Sequence, residues 1–313
     1  MILAGIDIGT NTLRLLIAET DHDAFREIYS DRKVVRLGQG LDHTATLAPD
    51  AIMRCLQALR DFSENIRRHH AMHVAVVGTS ALRNAANARA CIDQVKRETG
   101  LDLVVVSGEE EARLTLLGVM QSLKGRGVDR QLDAALIIDI GGGSTEIIIT
   151  RPARRPTVAS LPLGAVYFTE RFLHSDPPSK LELAGLRTAI RTILTAPGTE
   201  LRPEPSGVAV GTAGTVTTLA AIYQKLDRYD PARINGTILS RAFIDDIVAT
   251  LGRLTLEERK TIRGLERGRE DIILAGAVIT QEIMEHFGYR SILVSDGGLR
   301  EGIVLDLFNQ LGI

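Results

Sequence analysis

The chain has 313 residues, 44% of them hydrophobic and 24% charged, with 37 Lys and Arg set against 39 Asp and Glu. That composition excludes a disordered or collagen-like chain and a strongly basic nucleic-acid binder, so no DNA partner is expected. At roughly 100 to 200 residues per domain, the length points to two domains, each burying its own core.

From the first residue onward, the pattern is that of an α/β protein. The opening MILAGIDIG has no basic leader and meets Asp7 after a short apolar run, which predicts neither a signal peptide nor a membrane span and favours a cytoplasmic setting. Residues 2–8, about 12–19 and about 25–37 read as three successive strands, joined by Gly9-Thr10-Asn11-Thr12 and by a polar turn at Asp21-His22-Asp23. A helix follows from Pro49 to His70, with Ile52, Leu56, Leu59 and Phe62 at helical spacing. The order then becomes strand 73–78, helix 80–99, strand 102–106 and helix 108–123, a mixed sheet covered by helices. Two cysteines, Cys55 and Cys91, fall in separate predicted helices and form neither a disulfide framework nor a metal pair.

The polar stretch 121–131 marks a domain boundary, predicting one domain over 1–124 and a second over 125–299. The second part opens as the first does: IDIGGGSTEIIIT at 138–150 parallels IDIGTNTLRLLIA at 6–18, which suggests a duplicated pair of α/β domains with a cleft between them. Further strands are read at 207–210 and 291–294, and further helices at 213–224, 240–250, 269–287 and from the SDGG turn to about 311.

Four glycine turns follow apolar strands: Gly9 to Thr12, Gly141-Gly142-Gly143-Ser144-Thr145, Gly211 to Thr215, and Asp296-Gly297-Gly298. Small residues let backbone N–H groups approach a phosphate, hydroxyls add donors, and ligands of open α/β sheets gather at strand ends. The chain contains no Gly-Lys pair and therefore no Walker A loop, no GxGxxG opening a first βα turn, no HExxH and no GxSxG elbow. Asp7 and Asp139 each precede a glycine turn, where a carboxylate either holds Mg²⁺ or caps its own turn. In Ser107-Gly108-Glu109-Glu110-Glu111-Ala112-Arg113, Ser107 and Glu110 form a capping box. Glu111 is not needed for that cap and is a candidate base for activating water, a salt bridge to Arg113 or another neighbour being the alternative. Arg83, placed in the first turn of the helix at 80–99, and Arg14, beside the first glycine turn, suit an oxyanion or a buried carboxylate, or else the surface. The arginines at 151, 154 and 155 and at 263, 267 and 269 could line a channel for a polyanion, or sit in solvated loops.

These segments resemble the exopolyphosphatase and guanosine pentaphosphate phosphohydrolase family, in its short two-domain form, within the actin, sugar-kinase and heat-shock-chaperone superfamily. DIGTNTLRLLI, GTSALRNAAN, SGEEEARL, IDIGGGSTEI, the Leu161-Pro162-Leu163-Gly164 turn, GTAGTVTTLAA, ERGREDIILAG and SDGGLREG occur in the family's order. The resemblance implies two ribonuclease-H-like (actin-like ATPase) domains. It implies Mg²⁺- or other divalent-cation-dependent release of terminal phosphate from polyphosphate or guanosine pentaphosphate, with a K⁺ requirement left open. It places the catalytic acid on Glu111 and the phosphate loops on Gly9, Thr10, Asn11 and Thr12 and on Gly141, Gly142, Gly143, Ser144 and Thr145. It also places phosphate-contacting arginines on Arg14 and Arg83 and a metal-associated acid on Asp139, with Asp7 and Glu146 positioning metal or water. The last helix, residues 300–313, is expected to pack back on the first domain, and a homodimer rests on the resemblance alone. The alternative in another class is a guanosine tetra- or pentaphosphate-binding regulator with little hydrolysis.

Overall fold

Strand β1 (Ile2–Ile8) is apolar on both faces up to Asp7, the pattern of a strand covered on both sides, and it forms the middle of a five-stranded sheet. The structure, a computed structural model, describes residues 1–21, 24–196, 201 and 207–312. His22 and Asp23, assigned from sequence to a turn, lie outside them. Strands β2 (Thr12–Thr20) and β3 (Phe25–Val34) continue the sheet antiparallel to β1. After the short helix α1 (Leu41–Thr44) and the long α2 (Pro49–Arg68), β4 (His73–Gly78) pairs parallel to β1 on its other side.

The helix predicted at 80–99 is two helices, α3 (Ser80–Asn84) and α4 (Ala88–Thr99), because Ala85 is extended. The break is held from outside: the Asn87 side chain accepts from the Leu47 N–H at 2.8 Å and donates to the Leu47 carbonyl at 3.0 Å. Strand β5 (Leu103–Val105) completes the sheet order β3-β2-β1-β4-β5, and α5 (Gly108–Leu123) follows. Burial pushes the thiols of Cys55 on α2 and Cys91 on α4 up to about 12 and about 11, so both are held as inert core groups.

The second half of the chain runs through α6 (Asp129–Leu132), β6 (Ala135–Ile140), β7 (Thr145–Ile149) and β8 (Thr157–Leu161), then α7 (Ala165–Phe172) and α8 (Lys180–Leu194). It continues with β9 (Val208–Thr212), α9 (Ala213–Tyr223), α10 (Pro231–Ile234), β10 (Ile238–Ser240), α11 (Arg241–Leu251) and α12 (Leu256–Arg259). Helix α13 (Ile273–Phe287), strand β11 (Ser291–Val294) and helix α14 (Leu299–Leu311) end the chain. The second sheet has the order β10-β11-β9-β6-β7-β8. Removing β10 leaves β8-β7-β6-β9-β11, with the same connectivity and the same parallel and antiparallel senses as the first sheet. Helix α13 is apolar around most of its circumference and lies in the core of this half; its one deeply buried acid, Glu282, is paired with Arg187 and Arg191 of α8 at 2.6 and 2.5 Å.

The chain divides into two units, Met1–Gly118 with Gly298–Ile313, and Val119–Gly297. Within the first unit, α14 returns to pack Val304 and Phe308 on Leu3 and Leu16 of the sheet. It crosses α5 with the backbones touching: a Cβ on Gly118 would stand 1.8 Å from the Gly298 carbonyl oxygen, and one on Gly302 1.8 Å from that of Leu114. Gly118 and Gly302 therefore serve helix packing, and the SDGG segment meets α5 at the Gly298 carbonyl. Among the described residues, no helix is long and apolar enough to cross a membrane. Gly118→Ala should lower unfolding stability by about 1–3 kcal/mol or more through overpacking. Gly185→Ala, on the exposed face of α8 with its nearest neighbour 3.9 Å away, should instead raise it by about 0.5–1 kcal/mol. Urea titrations of the two variants check both signs.

Candidate active site

The two hairpins that follow Asp7 and Asp139 close identically. Gly9 N–H donates to the Thr12 carbonyl at 3.2 Å, and Gly141 N–H to the Ser144 carbonyl at 3.0 Å. The loop carbonyls are then drawn away by a second segment in each unit. In the first, Val35 and Arg36 N–H donate to the Asn11 carbonyl and Gly38 N–H to that of Thr10, at 2.8–3.0 Å. Strand β3 accordingly stops at Val34, earlier than the sequence suggested, because its next N–H groups leave the ladder to grip the loop; Arg36 adopts a left-handed φ of 51° to do so.

In the second unit, Ala165 N–H reaches the Gly141 carbonyl and Val166 N–H that of Gly142, at 3.0 and 2.8 Å, while Thr145 Oγ1 donates to the Leu163 carbonyl. Gly164 is required there, since a Cβ would lie 2.3 Å from the Gly142 oxygen. With carbonyls occupied in this way, the N–H groups of Thr10 and Asn11, and those of Gly142, Gly143 and Ser144, donate to no acceptor among the described residues. Thr10, Asn11 and Ser144 are nonetheless buried. Uncommitted buried N–H groups call for an anion.

Glu111 stands at the same end of the first sheet. Asp7 and Ile8 end β1 opposite Val77 and Gly78 of β4, and Val106 N–H donates to the Gly78 carbonyl. Arg83 Nη1 donates both to the Val106 carbonyl and to Glu111 Oε2, each at 2.9 Å. Glu111 is 7% exposed, and the break after Asn84 places Arg83 in the last turn of α3 instead of early in a long helix. Arg113 serves other acids: it takes Glu110 through two bonds of 2.8 and 2.7 Å and Asp306 of α14 at 2.6 Å. Half of the expected capping box forms, with Ser107 Oγ accepting from Glu110 N–H at 3.1 Å. Hydrogen bonding from Arg113 holds the Glu110 carboxyl below the ordinary range.

Asp139 and Glu146 face each other in register on β6 and β7, and both are buried. Glu146 Oε1 accepts from Ser160 Oγ at 2.8 Å. Two such carboxylates are hard oxygen donors whose proximity favours a cation, and Mg²⁺ is typically held by one or two carboxylates plus water and substrate phosphate. Among the described residues, no group of three or more His, Cys, Asp or Glu is placed to enclose a metal. Arg14 is half-buried directly opposite Asp7. The third glycine turn, Gly211 to Thr215, is closed over: the Arg269 guanidinium lies where a Cβ of Gly214 would be, and Glu266 pairs with it at 3.0 Å. Of the predicted basic run, Arg263 is an exposed partner of Asp227 and Arg269 is buried. The bracing segment 35–38 was not identified from sequence; its Gly38-Gln39-Gly40 pattern is the signal that points to it.

Fold and site together define a phosphoryl-binding protein of two ribonuclease-H-like halves, each with a glycine loop at its strand ends. The chain belongs to the Ppx/GppA phosphatase family, whose model matches residues 16–311. It is 35% identical to Exopolyphosphatase 2 of Mycobacterium tuberculosis over 323 aligned positions, covering 97% of this chain and 98% of that one. Among solved structures, it is similar to the Aquifex aeolicus Ppx/GppA family member, at 33% identity and a TM-score of 0.82 over 100% of this chain and 99% of that one. An exopolyphosphatase from Cytophaga hutchinsonii matches at 27% identity and a TM-score of 0.87, over 99% and 98% of the two chains.

Gly164→Ala should displace the Gly141–Thr145 loop and reduce phosphate release at least about tenfold, since misplacement by 1 Å can cost about a hundredfold. Steady-state kinetics with circular dichroism as a check on folding tests it. The Glu110–Arg113 bond predicts an acid dependence. The folded carboxyl titrates below its unfolded value, so its stabilisation is complete above about pH 4.3 and is lost as pH falls through the depressed folded value. The urea midpoint should therefore fall more steeply between about pH 5 and pH 3 in the wild type than in Glu110→Gln.

Proposed function

We propose that the chain is an exopolyphosphatase-type phosphohydrolase that releases terminal phosphate from inorganic polyphosphate, with guanosine pentaphosphate as a further substrate of the same chemistry. The observation that carries this reading is the set of uncommitted loop N–H groups at the strand ends where the Arg83-held carboxylate of Glu111 stands. Its family and its full-length similarity to proteins named exopolyphosphatases support the same reaction.

In this mechanism, the N–H groups of Thr10 and Asn11 and the Arg14 guanidinium hold oxygens of the transferred phosphoryl, and the loop Gly141–Thr145 offers donors of the same kind. Glu111 accepts the proton of the attacking water as the water oxygen bonds to phosphorus and the bridging oxygen leaves with its electron pair. Arg83 holds Glu111 Oε2 and so orients the carboxylate. Asp139 with Glu146, and Asp7 in the first unit, are the residues that would hold Mg²⁺. When bound, the ion neutralises charge on phosphate oxygens. The regulator with little hydrolysis is disfavoured, because simple binding does not require a buried carboxylate oriented by an arginine.

A positioned general base contributes roughly 10²–10⁴-fold, so Glu111→Gln should lose at least about a hundredfold in kcat while still binding polyphosphate. Phosphate release measured with polyphosphate and guanosine pentaphosphate side by side, with Mg²⁺ and with EDTA, checks the assignment. Near wild-type turnover in the variant refutes it.

A further inference from the structure

Each sheet carries a row of side chains at the level of the Asp that precedes its glycine loop. In the second unit that row reads Ser160, Glu146 and Asp139 on β8, β7 and β6. The topologically equivalent positions of the first unit hold Arg32, Arg14 and Asp7 on β3, β2 and β1. The duplicated halves thus differ at matched positions beside the shared Asp: an acid and a hydroxyl in one, two arginines in the other.

Residues paired in register point to one face, and neighbours along a strand alternate. Leu16, two residues beyond Arg14, packs on Val304 and Phe308, so Arg14 and Arg32 lie on the α14 face. Asp31 and Lys33 flank Arg32 but face the other way, where Lys33 lies 3.7 Å from both Asp31 and Asp61 of α2. With strands about 4.8 Å apart, Arg14 and Arg32 stand about 5 and 10 Å from Asp7 along the row. Exposure rises in the same direction: Asp7 is 8% exposed, Arg14 is half-buried, and Arg32 lies in the open on the edge strand.

Like charges directly opposite each other weaken a strand pair, and Arg14 forms no hydrogen bond or ion pair among the described residues. Two cations side by side, leading from a buried phosphate loop to the sheet edge, match a ligand with negative charge repeated along its length. We propose that Arg14 and Arg32 form a cationic strip for the phosphates behind the terminal one of a linear polyphosphate, with Arg32 holding the outermost of them. The strip makes Arg32 a determinant of chain-length preference. This inference rests on the phosphohydrolase reading for the position of the terminal phosphate.

The test is calorimetric titration of pyrophosphate and of long-chain polyphosphate into Glu111→Gln protein in Mg²⁺ buffer, alone and combined with Arg32→Gln or Lys33→Gln. Removing Arg32 should raise Kd for the long chain about five- to tenfold and that for pyrophosphate less than about twofold, as expected for one partly exposed charge-assisted contact. Lys33→Gln removes the same charge from the opposite face and should change neither by more than about twofold. Arg32→Gln behaving as Lys33→Gln does, weakening both ligands equally, or no long-chain binding at all, overturns the strip. Phosphate release by the chain with Glu111 intact, run in parallel, separates the two readings: its absence sinks the hydrolase while the titration still reports on Arg32.

Discussion

The structure's chemistry depends on where a few loop carbonyls point. A four-residue turn closed by one bond, Gly9 to Thr12 or Gly141 to Ser144, leaves both carbonyl and N–H groups to be satisfied at a buried strand end. Segments 35–38 and 165–167 take the carbonyls of Thr10, Asn11, Gly141 and Gly142 and leave loop N–H groups uncommitted. Leaving a buried donor unmatched costs about 1–3 kcal/mol. Several together make an anion a favourable partner for the loop. The glycines follow from this constraint: Gly164 exists so that another backbone can come within reach of the Gly142 oxygen.

Charge pairing then distinguishes the acids at the start of α5. Helix α5 begins with three consecutive glutamates, and the dipole at a helix start tolerates all of them. Arg113 takes Glu110 and ties it to Asp306, a contact that also pins α14 against α5. Glu111 is left to Arg83, whose Nη1 is anchored on the Val106 carbonyl. A buried carboxylate bonded to an anchored arginine is oriented, whereas a surface glutamate would be free to rotate away. Arg83 makes these two bonds through a single nitrogen and is partly exposed, so its other donors are open to a second anion.

Much of this was legible in the sequence because the signals are local. Apolar strands ending in Asp-Ile-Gly, the repeat of that pattern 132 residues on, and acids clustered at a helix start can each be read within ten residues. Features set by distant chain were not legible. Residues 80–99 read as one helix because nothing local forbids it; the break at Ala85 is held by Asn87 bonding to Leu47, forty residues away in sequence. That break moves Arg83 from a helix start to a helix end, and so the identity of its partner was hidden as well. The elements β8, α7, α8 and β10 were not read from the sequence either.

The glycine-rich segments show most plainly why composition alone misleads. Four of them looked alike as candidate phosphate loops. Two leave N–H groups uncommitted, one is covered by the buried guanidinium of Arg269, and in the last, Gly118 of α5 leaves room for the Gly298 carbonyl. What separates them is the identity of the group that would meet a Cβ: a loop carbonyl or carbon in the bracing of Gly141–Thr145, a guanidinium at Gly214, and a helix backbone at the α5–α14 crossing. A glycine needed for close backbone approach is compatible with a ligand when that approach consumes acceptors and spares donors, as the segments bracing the loops after Asp7 and Asp139 do.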